Sequence, residues 1–190
     1  VYGNPVVSND SIVFSALDGT GVEFLTNDTL QFVSSDTLDV TVTSTLAQNF
    51  TIQAQKSGVP SVSGESGIVT INPAQPDTFI ILAGTESSLN VGAERLLRVR
   101  LEDQYANLIS DSTVTFEILS GGNFSLTVED TLDDITDGGG IAEALYTAST
   151  IYQIEDSIEV RIGTLLDTIF IPLLVPTNAT SYYEFVPSGD

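Results

Sequence analysis

The feature that most constrains this chain is an internal repeat with a period of about 100 residues. Residues 2–14 (YGNPVVSNDSIVF) resemble residues 105–116 (YANLISDSTVTF), and the linker 71–79 (INPAQPDTF) resembles residues 174–183 (LVPTNATSYY). Both pairs are offset by about 103 positions. Self-similarity at a fixed period indicates that each period folds as one structural unit, and this period has the size of a small domain.

The repeat divides the 190 residues into a frame-shifted series of units. We expect residues 1–72 to form a partial unit that lacks its first strands, residues 73–174 to form a complete unit, and residues 175–190 to supply the first strand of a following repeat. The linkers between the units contain Pro, which restricts hinge motion. Because the sequence does not begin with Met, we expect it to be a piece of a longer protein.

Alternating apolar and polar residues predict β-strands throughout the complete unit. The clearest case runs from Leu97 to Glu102, where apolar residues alternate with Arg98, Arg100 and Glu102. Seven short segments of this kind follow one another, with glycine-rich turn signals between them. Seven strands in about 100 residues is the number found in an immunoglobulin-like β-sandwich. The sequence therefore predicts an all-β fold of tandem immunoglobulin-like antiparallel β-sandwiches.

The composition excludes several classes of function. The chain has 5 Lys and Arg against 26 Asp and Glu, a formal net charge of −21, so it lacks the basic surface that binds nucleic acid or an anionic membrane. It has no His and no Cys, which excludes His-based catalytic triads, Cys nucleophiles, disulfides and the usual zinc sites. No apolar run approaches the ~20 residues of a membrane helix. A small sandwich offers no obvious cleft for a pair of glycosidase carboxylates, so we predict that the chain is not an enzyme.

A set of turn and strand residues recurs in both units. The complete unit has Asp103, Tyr105, Asn107, Val114, Phe116, Thr136, Asp137, Gly140 and Ala142, and the partial unit has Gly3, Asn4, Pro5 and Val6. These positions match an Asp-x-x-Gly-Asn-Pro-Val turn, a Val-Thr-Phe strand and a Thr-Asp-x-x-Gly-x-Ala segment. The pattern resembles the bacterial immunoglobulin-like repeats of invasin- and intimin-type surface adhesins. Ala106 and Leu108 stand where that pattern has Gly and Pro.

The resemblance implies a non-catalytic stalk repeat of an extracellular bacterial surface protein or adhesin, which would space a distal functional module from the cell. Its partners would then be the neighbouring immunoglobulin-like repeats of the same protein. Two alternatives stay open. The chain could be a subunit of an extracellular filament in which open strand edges of one chain are completed by another, or it could be a ligand-binding adhesin module.

Carboxylates concentrate in loops that the sandwich topology places at one end of the complete unit. The candidate ligands of a metal ion are Asp77, Asp103, Asp111, Asp133, Asp134, Asp137 and Asp167. Carboxylates brought this close repel one another, and Ca²⁺, which prefers six to eight oxygen ligands, would relieve that repulsion. The sequence thus predicts a Ca²⁺ site that stiffens the junction between units. The alternative is a solvated acidic surface, since the spacing of an EF-hand is absent.

Overall fold

A computed structural model of the chain describes residues 10–31, 37–124, 130–150 and 154–174. The described residues form fifteen β-strands and contain no helix that could span a membrane. The all-β immunoglobulin-like prediction is confirmed. The chain divides into unit 1, residues 1–75 with 103–107, and unit 2, residues 76–102 with 108–190. The first strand expected in residues 175–190, and the matched motif at Gly3–Val6, lie outside the described residues.

The strands are short, as in most sandwiches. Unit 1 contains β1 (Ser11–Leu17), β2 (Glu23–Phe24), β3 (Thr29–Gln31), β4 (Val42–Thr43), β5 (Gln48–Lys56), β6 (Ser63–Glu65) and β7 (Val69–Ile71). Unit 2 contains β8 (Pro76–Ala83), β9 (Glu94–Asp103), β10 (Thr113–Ser120), β11 (Asn123–Phe124), β12 (Thr131–Ile135), β13 (Ile141–Thr147), β14 (Glu155–Ile162) and β15 (Leu165–Pro172). Asp103, the last residue of β9, is also the first residue of the segment that clusters with unit 1.

Unit 2 consists of two four-stranded antiparallel sheets. Their strand orders are β11-β13-β9-β8 and β12-β10-β14-β15. The chain changes sheet after every strand from β9 to β13, whereas β8 and β9, and likewise β14 and β15, are consecutive strands of one sheet. Two sheets with the first two strands in the same sheet are the arrangement of an immunoglobulin-like sandwich.

The alternation in β9 determines which side chains fill the core of unit 2. Leu97, Val99 and Leu101 are fully buried, because residues two apart on a strand point to the same face of the sheet. Opposite them in the register, Ala144 pairs with Leu97 and Ala142 pairs with Val99. Small alanines on β13 thus leave room for the larger residues of the second sheet, which include Phe116, Ile158 and Val160 among the fully buried side chains.

Unit 1 contains the same sheet arrangement with fewer strands. Its larger sheet has the order β3-β1-β5-β6, with β7 also pairing with β5, and its smaller sheet contains β2 and β4. These correspond to the β12-β10-β14-β15 sheet and to the β11-β13 pair of unit 2. Among the described residues, no strand of unit 1 takes the places of β9 and β8. Phe50, which is 3% exposed, is the one apolar side chain of unit 1 that is fully buried in this part of the chain.

Candidate functional site

The most strongly connected polar group of unit 1 is the turn Asp103–Asn107, and it is built on one carboxylate. Asp103 Oδ1 accepts hydrogen bonds from the backbone N–H groups of Tyr105 (2.8 Å) and Asn107 (2.9 Å). Asp103 Oδ2 accepts from the backbone N–H of Ala74 (2.8 Å) and from Asn107 Nδ2 (2.9 Å). The carboxylate is only 2% exposed, and four donors therefore replace the water that it loses on folding.

Asn107 extends this network to a third segment of unit 1. Its Oδ1 accepts a hydrogen bond from the backbone N–H of Ala47 (2.8 Å), and its Nδ2 donates to the carbonyl oxygen of Thr45 (2.8 Å). Asn is suited to this position because its side chain carries both an acceptor and two donors. The turn, the loop after β4 and the segment after β7 are thereby joined through two side chains.

The environment of Asp103 holds its pKa well below the ordinary value. Burial of the carboxyl acts to raise the pKa, because it disfavours the charged form. The hydrogen bonds from the Asn107 side chain and from the backbone N–H groups of Ala74, Asn107 and Tyr105 outweigh burial and lower the pKa of Asp103 from 3.8 to about 2. The network is therefore formed with an ionised carboxylate at neutral pH.

The turn also contains a residue in an unfavourable backbone conformation. Ala106 has a φ of 63°, in the left-handed region that costs a residue with a Cβ about 1 kcal/mol or more. It occupies the position at which the adhesin pattern described above has Gly, a residue that adopts this conformation without strain. The hydrogen bonds of Asp103 and Asn107 hold the turn closed in spite of this cost.

Five of the six other candidate metal ligands accept hydrogen bonds within unit 2, three of them from residues at least two positions away. Asp137 Oδ1 accepts from the backbone N–H of Gly139 (2.7 Å) and of Ile141 (3.0 Å), which closes the turn before β13. Asp134 Oδ2 accepts from the backbone N–H of Glu143 (2.7 Å). Asp133 Oδ1 accepts from the Oγ1 hydroxyl of Thr115 on the neighbouring strand (2.6 Å).

The remaining candidates, Asp111, Asp167 and Asp77, lie on different segments of unit 2. Asp111 lies in the loop before β10 with a φ of 55°, and its Oδ2 accepts from the Ser110 hydroxyl (3.0 Å). Asp167 accepts from the N–H of the next residue (2.7 Å), and Asp77 is exposed on β8. In the described ranges, no group of three or more Asp or Glu is arranged to hold a metal ion. The predicted Ca²⁺ site stays a prediction.

A second buried carboxylate, Asp156, was not singled out by the sequence. It lies at the start of β14 and is fully buried. The Tyr146 hydroxyl donates to Asp156 Oδ2, as does the backbone N–H of Ser149 (2.9 Å). Burial, followed by the hydrogen bond and the negative charge of Asp156, raises the pKa of the Tyr146 hydroxyl. The sequence does contain a signal for this burial. Asp156 lies two and four residues before Ile158 and Val160, so all three side chains point to the inner face of the sheet.

A cavity of about 210 Å³ lies beside this pair in unit 2. It is lined by residues 121–123 and 147–150, which have small or amide side chains and no ionisable group. Gly122 packs so closely that a Cβ there would collide with the carbonyl oxygen of Thr147 and lie 2.5 Å from the Tyr146 hydroxyl. The walls therefore provide hydrogen-bonding backbone groups but no acid, base or nucleophilic pair.

Comparison with known proteins shows similarity at the level of the fold. No protein-family model and no curated protein matches the chain. Among solved structures, the chain is similar to the Yersinia pseudotuberculosis adhesin InvE, with 15% identity and a TM-score of 0.46 over 90% of this chain and 51% of that chain. It is similar to the Escherichia coli adhesin FdeC, with 14% identity and a TM-score of 0.48 over 88% of this chain and 55% of that chain. The S-layer protein SbsC, domains 4 and 5, gives 16% identity and a TM-score of 0.40 over 92% and 75%.

Proposed function

We propose that the chain is a non-catalytic structural repeat of an extracellular bacterial surface protein, which spaces a distal functional module from the cell. The observation that carries this proposal is a parallel pairing in unit 2 between the segment that follows the first strand and the segment that follows the last. Leu89, in the segment between β8 and β9, pairs in parallel with Leu173, directly after β15. Both side chains are buried, with 9% and 5% exposure.

Two backbone hydrogen bonds make this pairing. The N–H of Leu89 donates to the carbonyl oxygen of Pro172 (2.8 Å), and the N–H of Leu174 donates to the carbonyl oxygen of Leu89 (2.8 Å). In a parallel pair, tension that pulls the Leu89 segment towards the N-terminus and the Leu173 segment towards the C-terminus acts along both segments in opposite directions. The hydrogen bonds are then loaded together rather than opened one after another, which suits a unit that transmits tension.

The surface chemistry and the motifs support the same role. The residues that resemble adhesin repeats, such as Asp103, Asn107 and Asp137, close turns by accepting or donating hydrogen bonds within the protein. The high negative charge keeps a surface module soluble and separate from its neighbours. The cavity beside Gly122 has no ionisable lining with which to carry out acid–base chemistry.

Single-molecule pulling on the whole chain tests the proposal, with tethers attached at residues 76 and 174. We expect unit 2 to unfold in one discrete step. The step should lengthen the chain by roughly 300 Å, from about 3.3–3.6 Å per extended residue less the folded span. The variant Leu89→Pro, which removes the N–H that bonds Pro172, should unfold at a lower force.

The matched control is Leu89→Ala, which keeps the backbone N–H and removes only side-chain packing. Its unfolding force should lie closer to that of the unchanged chain than the force of Leu89→Pro does. Thermal melting establishes that both variants are folded before they are pulled. Gradual extension of the unchanged chain without a discrete step would contradict a mechanical role.

A further inference from the structure

The sequence contains two Asp-Gly pairs, and the structure places both of them in turns. Asp18-Gly19 follows β1 in unit 1, and Asp137-Gly138 precedes β13 in unit 2. A chain can rearrange its own backbone at such a pair, because Gly has no side chain to shield its nitrogen and allows the conformations that bring this nitrogen close to the preceding carboxyl carbon. The hydrogen bonds around each pair decide how easily the two atoms approach each other.

The turn that contains Asp137 holds its carboxylate in place. Asp137 Oδ1 accepts hydrogen bonds from the backbone N–H groups of Gly139 (2.7 Å) and Ile141 (3.0 Å). The backbone N–H of Asp137 donates to the carbonyl oxygen of Ile141 (2.9 Å), and the N–H of Gly140 donates to the carbonyl oxygen of Asp137 (2.9 Å). Rotation of the carboxyl group towards the Gly138 nitrogen therefore breaks hydrogen bonds that close the turn.

The turn that contains Asp18 lacks this restraint. Asp18 is exposed and has a φ of 61°, in the left-handed region that is unfavourable for a residue with a Cβ. In the part of the chain that the structure describes, the Asp18 carboxylate forms no hydrogen bond and no ion pair. Its carboxyl group can therefore rotate towards the Gly19 nitrogen without the loss of a protein hydrogen bond.

Gly19 packs against the buried centre of unit 1. A Cβ on Gly19 would lie 2.8 Å from Val22 Cγ2 and 3.1 Å from Phe50 Cβ. Phe50 is the one apolar side chain that is fully buried in the described part of unit 1. The path of the backbone after Asp18 therefore determines how well Phe50 is covered.

We propose that Asp18-Gly19 is a site of spontaneous isomerisation of Asp to isoaspartate, and that the turn at Asp137-Gly138 protects the second pair. The backbone nitrogen of Gly19 attacks Cγ of the protonated Asp18 carboxyl group. An N–Cγ bond forms, the nitrogen loses its proton, and the carboxyl group releases one water molecule. The product is a five-membered succinimide ring, and its formation requires no enzyme, oxidant or reductant.

Hydrolysis opens this ring in one of two ways. Water that adds at Cγ breaks the N–Cγ bond and restores Asp18. Water that adds at the backbone carbonyl carbon of residue 18 breaks the original peptide bond, so that the main chain runs through Cβ and Cγ and an α-carboxylate remains as the side branch. One water molecule is lost and one is gained. The main chain becomes one atom longer before Gly19, which displaces Gly19 from Phe50 and loosens unit 1.

Incubation of the full 190-residue chain in oxygen-18 water at neutral pH tests the proposal. Each ring opening inserts one heavy oxygen into the residue that cyclised, and electron-transfer fragmentation of the digested chain distinguishes isoaspartate from Asp. We expect the label and isoaspartate to accumulate at residue 18 at least about tenfold faster than at residue 137, because the hydrogen bonds of the Asp137 carboxylate must first break. The matched control is Asp18→Glu, which keeps the charge but closes its larger ring far more slowly. Label at residue 18 should disappear in this variant, and the rate at residue 137 should not change.

The same incubation in enough guanidinium chloride to unfold the chain separates the effect of the fold from that of the local sequence. Unfolding should raise the rate at residue 137 by at least about tenfold, since the turn no longer holds the carboxylate. A folded chain that reacts at residue 137 as fast as at residue 18 would overturn the proposal, as would a ratio of the two rates that unfolding leaves unchanged. Absence of isoaspartate at residue 18 of the folded chain, over a time in which the unfolded chain forms it, would also overturn the proposal.

The purified isomerised chain tests the effect on unit 1. Hydrogen exchange at the Phe50 amide should be faster in this form than in the unreacted chain, because the longer backbone no longer packs Gly19 against Phe50. Exchange at the Val160 amide of unit 2 is the internal control and should be the same in both forms. Equal exchange at Phe50 in the two forms would contradict the loosening of unit 1.

Discussion

Replacing Asp103 with Asn tests whether the ionised carboxylate, and not only the shape of the turn, stabilises unit 1. The amide side chain fits the same space but removes the charge. It also turns an NH₂ group towards donors that now bond the carboxylate, including the N–H of Ala74 at 2.8 Å. A buried N–H that faces another donor loses its partner and incurs a desolvation cost.

The lowered pKa of Asp103 gives the size of the effect. A pKa of about 2 against an ordinary 3.8 means that the folded state stabilises the ionised carboxylate of Asp103 relative to the unfolded state. At about 1.4 kcal/mol for each pKa unit, the difference is about 2–3 kcal/mol. Because the folded pKa is depressed, this stability is present above about pH 4 and is lost as the pH falls through about 2. Asp103→Asn should remove it at every pH at which the unchanged chain has it.

Amide hydrogen exchange followed by NMR measures this effect at the donors themselves. The amides of Ala74, Tyr105 and Asn107 should exchange about 60-fold faster in Asp103→Asn at neutral pH, the factor equivalent to about 2–3 kcal/mol. Their protection factors in the unchanged chain should fall between about pH 4 and pH 2, and those in the variant should not. Asp39→Asn is the control, since it makes the same charge change at an exposed position of unit 1. Protection that is equal in Asp103→Asn and in the unchanged chain would refute the reasoning.

Three further predictions follow from local geometry. Gly122→Ala should destabilise unit 2 by several kcal/mol because of its backbone collision, while Gly138→Ala, whose Cβ would meet nothing within 4 Å, should leave the melting temperature nearly unchanged. Ala106→Gly should stabilise unit 1 by about 0.5–1 kcal/mol, since Gly relieves the strain at φ 63°, and a loss of stability in urea unfolding would contradict this. Calorimetric melting in EDTA and then in millimolar Ca²⁺ should show no shift if the acids act as turn acceptors. A bound ion at a hundredfold excess over its Kd would instead raise stability by about 2.7 kcal/mol, and would support the calcium prediction if Mg²⁺ had no such effect.

The sequence predicts the sandwich well where one face of a strand is buried. In β9, burial follows the alternation, with Leu97, Val99 and Leu101 inside and Arg98 paired with Glu143 on the outer face. These features are predictable because they depend on contacts whose pattern has a period of two residues.

The polar contacts could not be predicted in the same way. Asp103 and the exposed Asp77 are the same type of residue and look alike in the sequence. The donors to Asp103, however, include the N–H of Ala74, which lies 29 positions away in the chain. Backbone donors leave no trace in the sequence, so an acid that accepts four hydrogen bonds cannot be distinguished from a candidate metal ligand. Asp156 differs, since its inward register against Ile158 is visible in the sequence and predicts a buried partner.

The most direct test of the account is a map of amide hydrogen exchange across the whole chain under native conditions. Among the described residues, unit 2 has a sealed core, whereas the inner face of unit 1 stays partly exposed. We therefore expect the slowest exchange in β9, β10, β13 and β14, and exchange at least about 30-fold faster in β1 and β5, whose inner residues Phe14 and Ala54 are partly exposed. Protection in β1 and β5 equal to that in β10 and β14 would contradict this expectation.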